Sequence, residues 1–313
     1  MAPDTPLNKL VLSAASVADD VGYAALADLA HVLGEVTADY RIIGGHMVTM
    51  LAARWQLGAE LYRETGDVDL GVPPIVARDH NIVDRLKDLG YAQVAGNRFT
   101  RRLSDVPLKL AGGDNSPPDA FIDVLVPAYT SRARQNVAIA EHLFTTEVPG
   151  LSIALARAPV ILALEMHRLN GKVRQAELPF PDEVSALVLK SLATRVRVKD
   201  TDIADIWRCL EIAFAAGRGP ADFADGIRAD SAAVIRKLFD GRHGPAMRAL
   251  ATEQHLSGRA ADERFTRVRA LIRRVLGPAC PASSRLIAMA RIGPTRYPAC
   301  AKAGASVPRS SAP

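Results

Sequence analysis

The chain has 313 residues, of which 49% are hydrophobic and 23% charged, and its formal net charge is +5 at pH 7. A chain of this length and composition can bury a sizeable core, and three cysteines without a CxxC pair argue against a disulfide framework and against a structural zinc site. No apolar run approaches the about 20 residues of a membrane helix, and the N-terminal segment lacks the basic and apolar regions of a leader. We therefore expect a soluble cytoplasmic protein with no membrane partner, and the basic charge is a weak indication of a polyanionic partner.

The first 130 residues alternate predicted helices and strands. Apolar positions at helical spacing predict two short helices within residues 1–35. A brief strand follows in "DYRIIGG", residues 39–45, and a helix over residues 46–58 is expected to end at Gly58. The remaining predicted elements are a strand at 67–72, a helix that ends at Gly90, a hairpin turned at Gly96 and Asn97, and a core strand in "AFIDVLVP", residues 120–127. Such alternation is typical of an α/β fold.

Two features divide the rest of the chain. Asn170 and Gly171 lie between two runs of alternating apolar and polar residues, which favours a hairpin over a helix within residues 159–181. After this hairpin the periodicity is helical, until a C-terminal segment that is rich in Ala, Pro, Ser and basic residues and is expected to be disordered. The expected domains are a mixed α/β domain over 1–180, a C-terminal helical bundle over 181–278 and a disordered tail over 279–313.

Two carboxylates stand two residues apart in "RETGDVDLGV", residues 63–72. Residues i and i+2 of a strand project from the same face, so Asp67 and Asp69 repel each other unless a cation lies beside them. A Mg²⁺ ion would stabilise both anions, because a hard cation prefers oxygen ligands. In the alternative interpretation, one Asp caps a turn and the other contacts a nearby arginine.

A third carboxylate, Asp123, lies in the apolar strand "FIDVLVP", where an unpaired charge would be costly. Read alone, Asp123 can equally be the partner of a salt bridge. Three strand-borne acids in one α/β unit suit a two-metal centre, in which ions about 3.5–4 Å apart bind the attacking and leaving oxygens of a phosphoryl displacement. Gly44 and Gly45 precede a helix whose free N–H groups can bind a phosphate, although such a pair alone can simply form a tight turn.

Together these motifs resemble the core of the DNA polymerase β-type nucleotidyltransferase superfamily: a Gly-Gly turn, a helix, an Arg-x-Thr-x-Asp-x-Asp strand and a third acid on a later strand. Within that superfamily the chain is most similar to the AbiEii/AbiGii abortive-infection toxins. The segment "LVLKSLATRVRVKDTDIADIWRCL", residues 187–210, is similar to a helical segment of that family, with a Lys, a Lys-Asp loop and an Asp on the next helix. The resemblance extends over residues 37–215 and implies a nucleotidyltransferase fold for the α/β domain.

The resemblance implies a role for each matching residue. The ligands of two Mg²⁺ ions would be Asp67, Asp69 and Asp123. The NTP phosphates would be held by Gly44, Gly45, His46, Arg63 and Thr65. The catalytic set would further include Lys190, which contacts the phosphates, and Asp205, which orients Lys190 or the substrate. The family more often has Ser or Thr at the position of His46.

Several of these residues have a structural alternative. His46 can pack against the sheet from the first turn of its helix, and Lys190, on an apolar helix, can extend to solvent. Arg63 can be a solvated surface residue. Lys199 and Asp200 can cap the following helix as readily as they can join the site.

The expected function is a Mg²⁺-dependent nucleotidyltransferase that transfers an NMP from an NTP to an acceptor hydroxyl. By resemblance the acceptor is the 3′ end of tRNA, and the protein is the toxin of a toxin–antitoxin pair with a cognate antitoxin protein as partner. Two alternatives stay open: a transferase that modifies a small hydroxylated molecule such as an aminoglycoside, and a catalytically silent nucleotide-binding module. Basic residues of the helical half can contact an RNA backbone, and solvated helix faces explain them equally well.

Overall fold

The computed structural model describes residues 5–34, 39–79, 82–106, 117–130, 133–197 and 199–278. The described residues up to 278 form one compact unit. The predicted disorder of the tail, 279–313, falls outside the described residues, and the predicted domain boundary at residue 180 stays a prediction.

The described residues form strands and helices in alternation up to residue 180 and helices beyond it. The strands are β1 (Lys9–Ser13), β2 (Arg41–Ile43), β3 (Asp67–Gly71), β4 (Ala92–Gln93), β5 (Arg98–Arg102), β6 (Asp119–Pro127), β7 (Val137–Ala140), β8 (Leu143–Thr145), β9 (Glu147–Val148), β10 (Val160–His167) and β11 (Val173–Phe180). The α-helices are α1 (Val17–Leu33), α2 (Gly44–Arg54), α3 (Pro74–Asp79), α4 (Ile82–Asp88), α5 (Leu151–Ala156), α6 (Glu183–Ala193), α7 (Asp200–Ala215), α8 (Gly226–Leu238), α9 (Pro245–Glu253) and α10 (Gly258–Leu271).

The larger sheet is mixed and has the strand order β2-β3-β6-β5-β4, with β9 also paired to β6. Strands β3 and β6 are parallel, whereas β2 pairs with β3, and β5 with β6, in antiparallel fashion. Alternate residues of these strands, such as Ile42, Val68 and Val124, are fully buried, and their neighbours face the opposite side of the sheet. The predicted strands at 39–45, 67–72 and 120–127 are confirmed.

Helices cover this sheet and continue into the C-terminal part. Helix α1 contacts β3 and β6, α2 contacts β2 and β3, and α6 and α7 pack against α2 and against each other. Two helix starts are capped by side chains: Ser16 Oγ accepts from Asp19 N at 3.1 Å, and Asp182 Oδ1 accepts from Ser185 N at 2.9 Å. The predicted class, a mixed α/β sheet flanked by helices and followed by further helices, is confirmed.

The smaller sheet has the strand order β1-β10-β11. One of the two predictions made for its segments is confirmed, and the other is wrong. Strands β10 and β11 form the hairpin predicted around Asn170 and Gly171. The first predicted helix is instead β1, which pairs in parallel with β10. Its apolar residues point to opposite sides, since Leu10 is buried while Val11 is 63% exposed. The parallel partner of β1 is far from it in the sequence, so no local pattern predicted the strand.

The predicted end of α2 at Gly58 is also wrong. The helix ends at Arg54, and Gln56 takes the left-handed conformation, with φ of 51°, that a glycine usually provides. The N–H of Gln56 donates to Ala53 O and the N–H of Leu57 donates to Ala52 O, which satisfies the last carbonyls of the helix. Within the described ranges, no helix combines the length and the apolar character that spanning a membrane requires.

Candidate functional site

The three predicted acids lie on two neighbouring parallel strands. Asp69 of β3 is in register with Asp123 of β6, and Asp67 precedes Asp69 by two residues and therefore shares its face. Their neighbours Val68, Leu70 and Val124 point into the core and are fully buried. The buried alternation fixes the register, because a shift by one residue would bury the acids and expose the apolar side chains.

The cation beside these acids is an arginine of the same sheet. Arg98 of β5 lies opposite Asp123 in the antiparallel pairing of β5 with β6. Its Nε donates to Asp123 Oδ1 at 3.0 Å, and its Nη2 donates to Asp123 Oδ2 at 2.7 Å and to Asp67 Oδ2 at 3.0 Å. Its guanidinium also lies 5.3 Å from the centre of the Phe121 ring. One guanidinium therefore compensates two of the three carboxylates.

Asp69 is the acid that Arg98 does not bind. It is half-buried, and among the described residues no Lys or Arg forms a salt bridge with it. Burial and the neighbouring charge of Asp123 raise the pKa of the Asp69 carboxyl to about 6, while the charge of Lys190 opposes that increase. The surroundings of this carboxylate therefore carry an excess of negative charge, and a cationic ligand would stabilise its ionised form.

A glycine turn lies against the acids at the start of α2. Gly44 has φ of +74°, and a Cβ at this position would collide with the carboxylate of Asp69. A Cβ on Gly45 would lie 2.7 Å from Thr65 Oγ1 and 3.2 Å from Arg63 Cζ. Both positions therefore need glycine for the backbone to approach these side chains, and the first N–H groups of α2 begin beside the acids.

A buried cluster of opposite charge joins α6 to α7 next to the acids. Asp205 is fully buried, and its Oδ2 accepts from Arg63 and lies 2.8 Å from Lys190 Nζ. Its Oδ1 accepts from Arg208 Nη1 at 3.0 Å. Burial alone would raise the pKa of the Asp205 carboxyl, but the charges of Lys190 and Arg63 outweigh burial and lower it. Three cations thus share one carboxylate, and although Glu253 lies 3.8 Å from Arg208, the cluster carries an excess of positive charge.

The structure decides between some of the alternatives left open by the sequence. The side chain of Lys190 is 9% exposed, so it does not extend to solvent, and Arg63 pairs with Asp205 as part of the cluster. Lys199 occupies the N-cap position of α7 without a side-chain capping bond, and Asp200 lies in its first turn. These two residues are exposed and take no part in the described cluster.

His46 is brought to the interior. Its ring lies against Gly22 of α1, where a Cβ would come within 2.7 Å of its Cε1 and Nε2. Burial, aided by the charge of Arg63, lowers the pKa of His46 to about 3, so the ring is neutral at physiological pH. Nε2 is buried and has no hydrogen-bond partner among the described residues. The predicted contact of His46 with a triphosphate stays a prediction.

The described acids do not form a closed metal site. Within the described part of the chain, no three His, Cys, Asp or Glu side chains are placed to hold a metal ion together. Carboxylate oxygens are donors that Mg²⁺ prefers, but Arg98 occupies the space between Asp67 and Asp123. As arranged, these residues do not fit a two-metal centre, and the prediction of two Mg²⁺ ions stays a prediction.

Arg98 was missed from the sequence, and Arg208, which was expected among the basic residues that can contact RNA, is instead buried against Asp205. Arg98 follows the predicted turn at Gly96 and Asn97 directly, and opposite charges pair across neighbouring strands. The pairing of that hairpin with the strand of Asp123 would have identified it. Arg208 lies three residues after Asp205 on the same helix, which is a spacing that brings side chains together.

Comparisons with known proteins give likenesses among solved structures only. No protein-family model matches the chain, and no curated protein matches it. Among solved structures, the chain is similar to the crystal structure of an antigenic nucleotidyltransferase-like protein from Paracoccidioides brasiliensis. The two are 17% identical with a TM-score of 0.40, over 70% of this chain and 88% of that chain. The function proposed below therefore rests on the geometry of the site.

Proposed function

We propose that the protein is a nucleotidyltransferase, which attaches an NMP from an NTP to an acceptor hydroxyl and releases pyrophosphate. The observation that carries the proposal is the pairing of Asp69 with Asp123 on parallel strands, directly beside the glycine turn that opens α2. The buried Lys190 and Asp205 pair adjoins these acids. A glycine turn and a buried lysine suit a phosphate chain, and the neighbouring carboxylates suit the activation of an attacking hydroxyl, better than they suit a purely structural role.

Each group has a role in this reaction. The N–H groups of the Gly44 and Gly45 turn donate to the triphosphate, and Lys190, which Asp205 holds in place, neutralises charge on it. The acceptor oxygen forms a bond to the α-phosphorus as the bond to the pyrophosphate oxygen breaks. Asp123 activates the attacking hydroxyl by accepting its proton. Mg²⁺, when bound, would neutralise charge on the phosphates.

We further propose that the acceptor is RNA, at the 3′ end of tRNA, and that the protein is the toxin of a toxin–antitoxin pair. The support from this chain is the loop between α6 and α7, where Arg195, Arg197 and Lys199 are all exposed. Arg197 lies 3.3 Å from Asp202 and pairs with it, and its charge opposes only a small part of the increase in the pKa of Asp69. A basic loop beside the acids is suited to a phosphate backbone.

Transfer of label tests this proposal. The protein is incubated with each α-labelled NTP, Mg²⁺ and total RNA, with an aminoglycoside as the alternative acceptor. We expect label on tRNA-sized RNA, and none when Asp69 is replaced in Asp69→Asn. Asp84→Asn is the matched control, because Asp84 is an exposed acid of α4. Label on the aminoglycoside alone would replace the RNA acceptor, and absence of transfer to every acceptor would contradict the proposal.

A second candidate, a catalytically silent nucleotide-binding module, is favoured by one observation. Arg98 lies where a cation of the reaction would be needed and already compensates Asp67 and Asp123. A module of this kind binds an NTP through the glycine turn and Lys190 without transfer. Equilibrium dialysis with labelled NTP, run beside the transfer assay, separates the two candidates, because tight binding without transfer identifies the silent module.

A further inference from the structure

A cleft of about 730 Å³ lies beside α10, between the segment that follows α2 and the C-terminal half of α7. Sites for small organic ligands typically have volumes of about 300–1,000 Å³. None of the described residues that line this cleft belongs to the candidate nucleotide site. We propose that the cleft binds a small organic carboxylate, whose charged group pairs with Arg264 and whose apolar part packs against Leu57, Phe214 and Leu256. This inference does not depend on the proposed function.

Arg264 is held in the cleft by an aromatic ring. Its guanidinium lies 3.9 Å from the centre of the buried Trp207 ring. Within the described part of the chain it forms no hydrogen bond and no salt bridge. Burial lowers the pKa of this half-buried guanidinium, although the charges of Glu211 and Glu60 oppose the decrease. A guanidinium that lies with one face on an indole keeps the N–H groups of its edge available, and that edge forms paired hydrogen bonds with a carboxylate.

The other charged groups of the cleft favour a ligand with a single negative charge. Arg267 is already bound to Glu211, with Nε and Nη2 donating at 2.9 and 2.5 Å. Glu60 is exposed and forms no salt bridge with any described residue. Arg264 therefore offers one positive charge beside an uncompensated acid. That arrangement suits a carboxylate and disfavours a dianion such as a phosphate monoester, which the acid would repel more strongly.

Two helix ends of the same kind supply much of the apolar wall. Gln56 after α2 and His255 after α9 take the left-handed conformation, with φ of 51° and 52°, although neither is glycine. The N–H groups of the next residues, Leu57 and Leu256, donate back to carbonyls of their own helices at 3.1 and 2.8 Å. Both leucines line the cleft, together with the 39% exposed Phe214 of α7. Backbone strain of this kind costs stability and clusters at ligand-binding sites.

The test measures binding of naphthoate to the full chain by ligand-observed NMR, with naphthamide as the neutral compound of the same shape. We expect a Kd of about 1 mM or lower for naphthoate, and binding of the amide about tenfold weaker. In Arg264→Met, which keeps an unbranched apolar chain over Trp207, the Kd for naphthoate should rise about tenfold. Arg269→Met is the matched control, because Arg269 also lies over a ring of α10, that of Phe265, and does not line the cleft. Its Kd should equal that of the wild type.

Glu60→Gln gives a change of the opposite sign. Removal of the uncompensated acid removes repulsion of the ligand, so the Kd for naphthoate should fall about threefold. Naphthyl phosphate, a dianion with the same ring system, should bind the wild type more weakly than naphthoate does.

Several results would overturn the inference. Equal affinities for naphthoate and naphthamide would show that the cleft does not recognise a carboxylate, and tighter binding of naphthyl phosphate would replace the carboxylate by a phosphate. Equal Kd values for the wild type and Arg264→Met would show that Arg264 is not the partner. Absence of naphthoate binding up to about 10 mM would show that the cleft is no such site. If Arg264→Met does not fold, as judged by circular dichroism, Arg264→Lys carries the comparison with a rise of about threefold, because lysine keeps the charge without the paired bonds.

Discussion

Gly44→Ala is predicted to destabilise the protein more than its backbone conformation alone requires. Gly44 has φ of +74°, and placing alanine in that region costs about 1–2 kcal/mol. The new Cβ would also collide with the carboxylate of Asp69, and forcing extra atoms into a packed place costs about 1–3 kcal/mol more. The free energy of unfolding should therefore fall by about 2–5 kcal/mol.

Gly171→Ala is a matched control for the backbone cost. Gly171 has φ of +80°, and a Cβ there meets nothing within 4 Å. Its substitution should cost only the about 1–2 kcal/mol of the conformation. Both variants are measured by urea denaturation, and in an Asp69→Ala background most of the excess cost of Gly44→Ala should disappear. Equal losses in the two glycine variants would refute the close approach of the turn to Asp69.

Three further predictions concern the charged and buried groups around the site. Asp205→Asn removes the one carboxylate that Lys190, Arg63 and Arg208 share and leaves, among the described residues, only Glu253, 3.8 Å from Arg208, so the free energy of unfolding should fall by about 3–5 kcal/mol in urea denaturation; a fall below about 1 kcal/mol would contradict the cluster. Burial lowers the pKa of His46 from 6.5 to about 3, so between these pH values the unfolded chain binds a proton that the folded chain does not. The contribution of His46 to the free energy of unfolding is complete above pH 6.5 and falls by about 1.4 kcal/mol per pH unit below it. The raised pKa of Asp69 changes the free energy of unfolding with pH in the opposite direction. The measurement is therefore the difference between the wild type and His46→Asn in how the free energy of unfolding depends on pH. Parallel curves of this free energy against pH would show that the ring is not buried as a neutral group. Lys190→Met should reduce nucleotidyl transfer about 10²–10³-fold while the chain stays folded, because Arg63 and Arg208 still compensate Asp205; unchanged transfer would remove Lys190 from the site.

The parts of the site that were predictable from the sequence are those carried by local patterns. The spacing of Asp67 and Asp69 within an apolar strand places both on one face. The two glycines at the start of α2 indicate that the backbone approaches a neighbouring group closely. The hairpin at Asn170 and Gly171 follows from turn chemistry alone. In each case the physical cause acts within a few residues.

The parts that were missed depend on pairing between distant segments. Strand β1 has too few residues to separate a period of 2 from a period of 3.6, and its partner β10 begins only at Val160. Arg98 meets the acids because β5 lies beside β6, which is a property of strand order and not of its own neighbours. The end of helix α2 at Arg54 shows a further limit, since the tertiary contact of Trp55 Nε1 with Glu183 Oε1, at 2.9 Å, stabilises the last turn without a glycine.

A crystal structure of the protein with a non-hydrolysable NTP and Mn²⁺ would test the central claim most directly. That claim is that the acids of β3 and β6, the glycine turn and Lys190 form one nucleotide site. We predict that the triphosphate lies between the backbone of Gly44 and Gly45 and the side chain of Lys190, with anomalous density for manganese beside Asp69. A nucleotide bound elsewhere, with Arg98 still paired to Asp67 and Asp123, would contradict it.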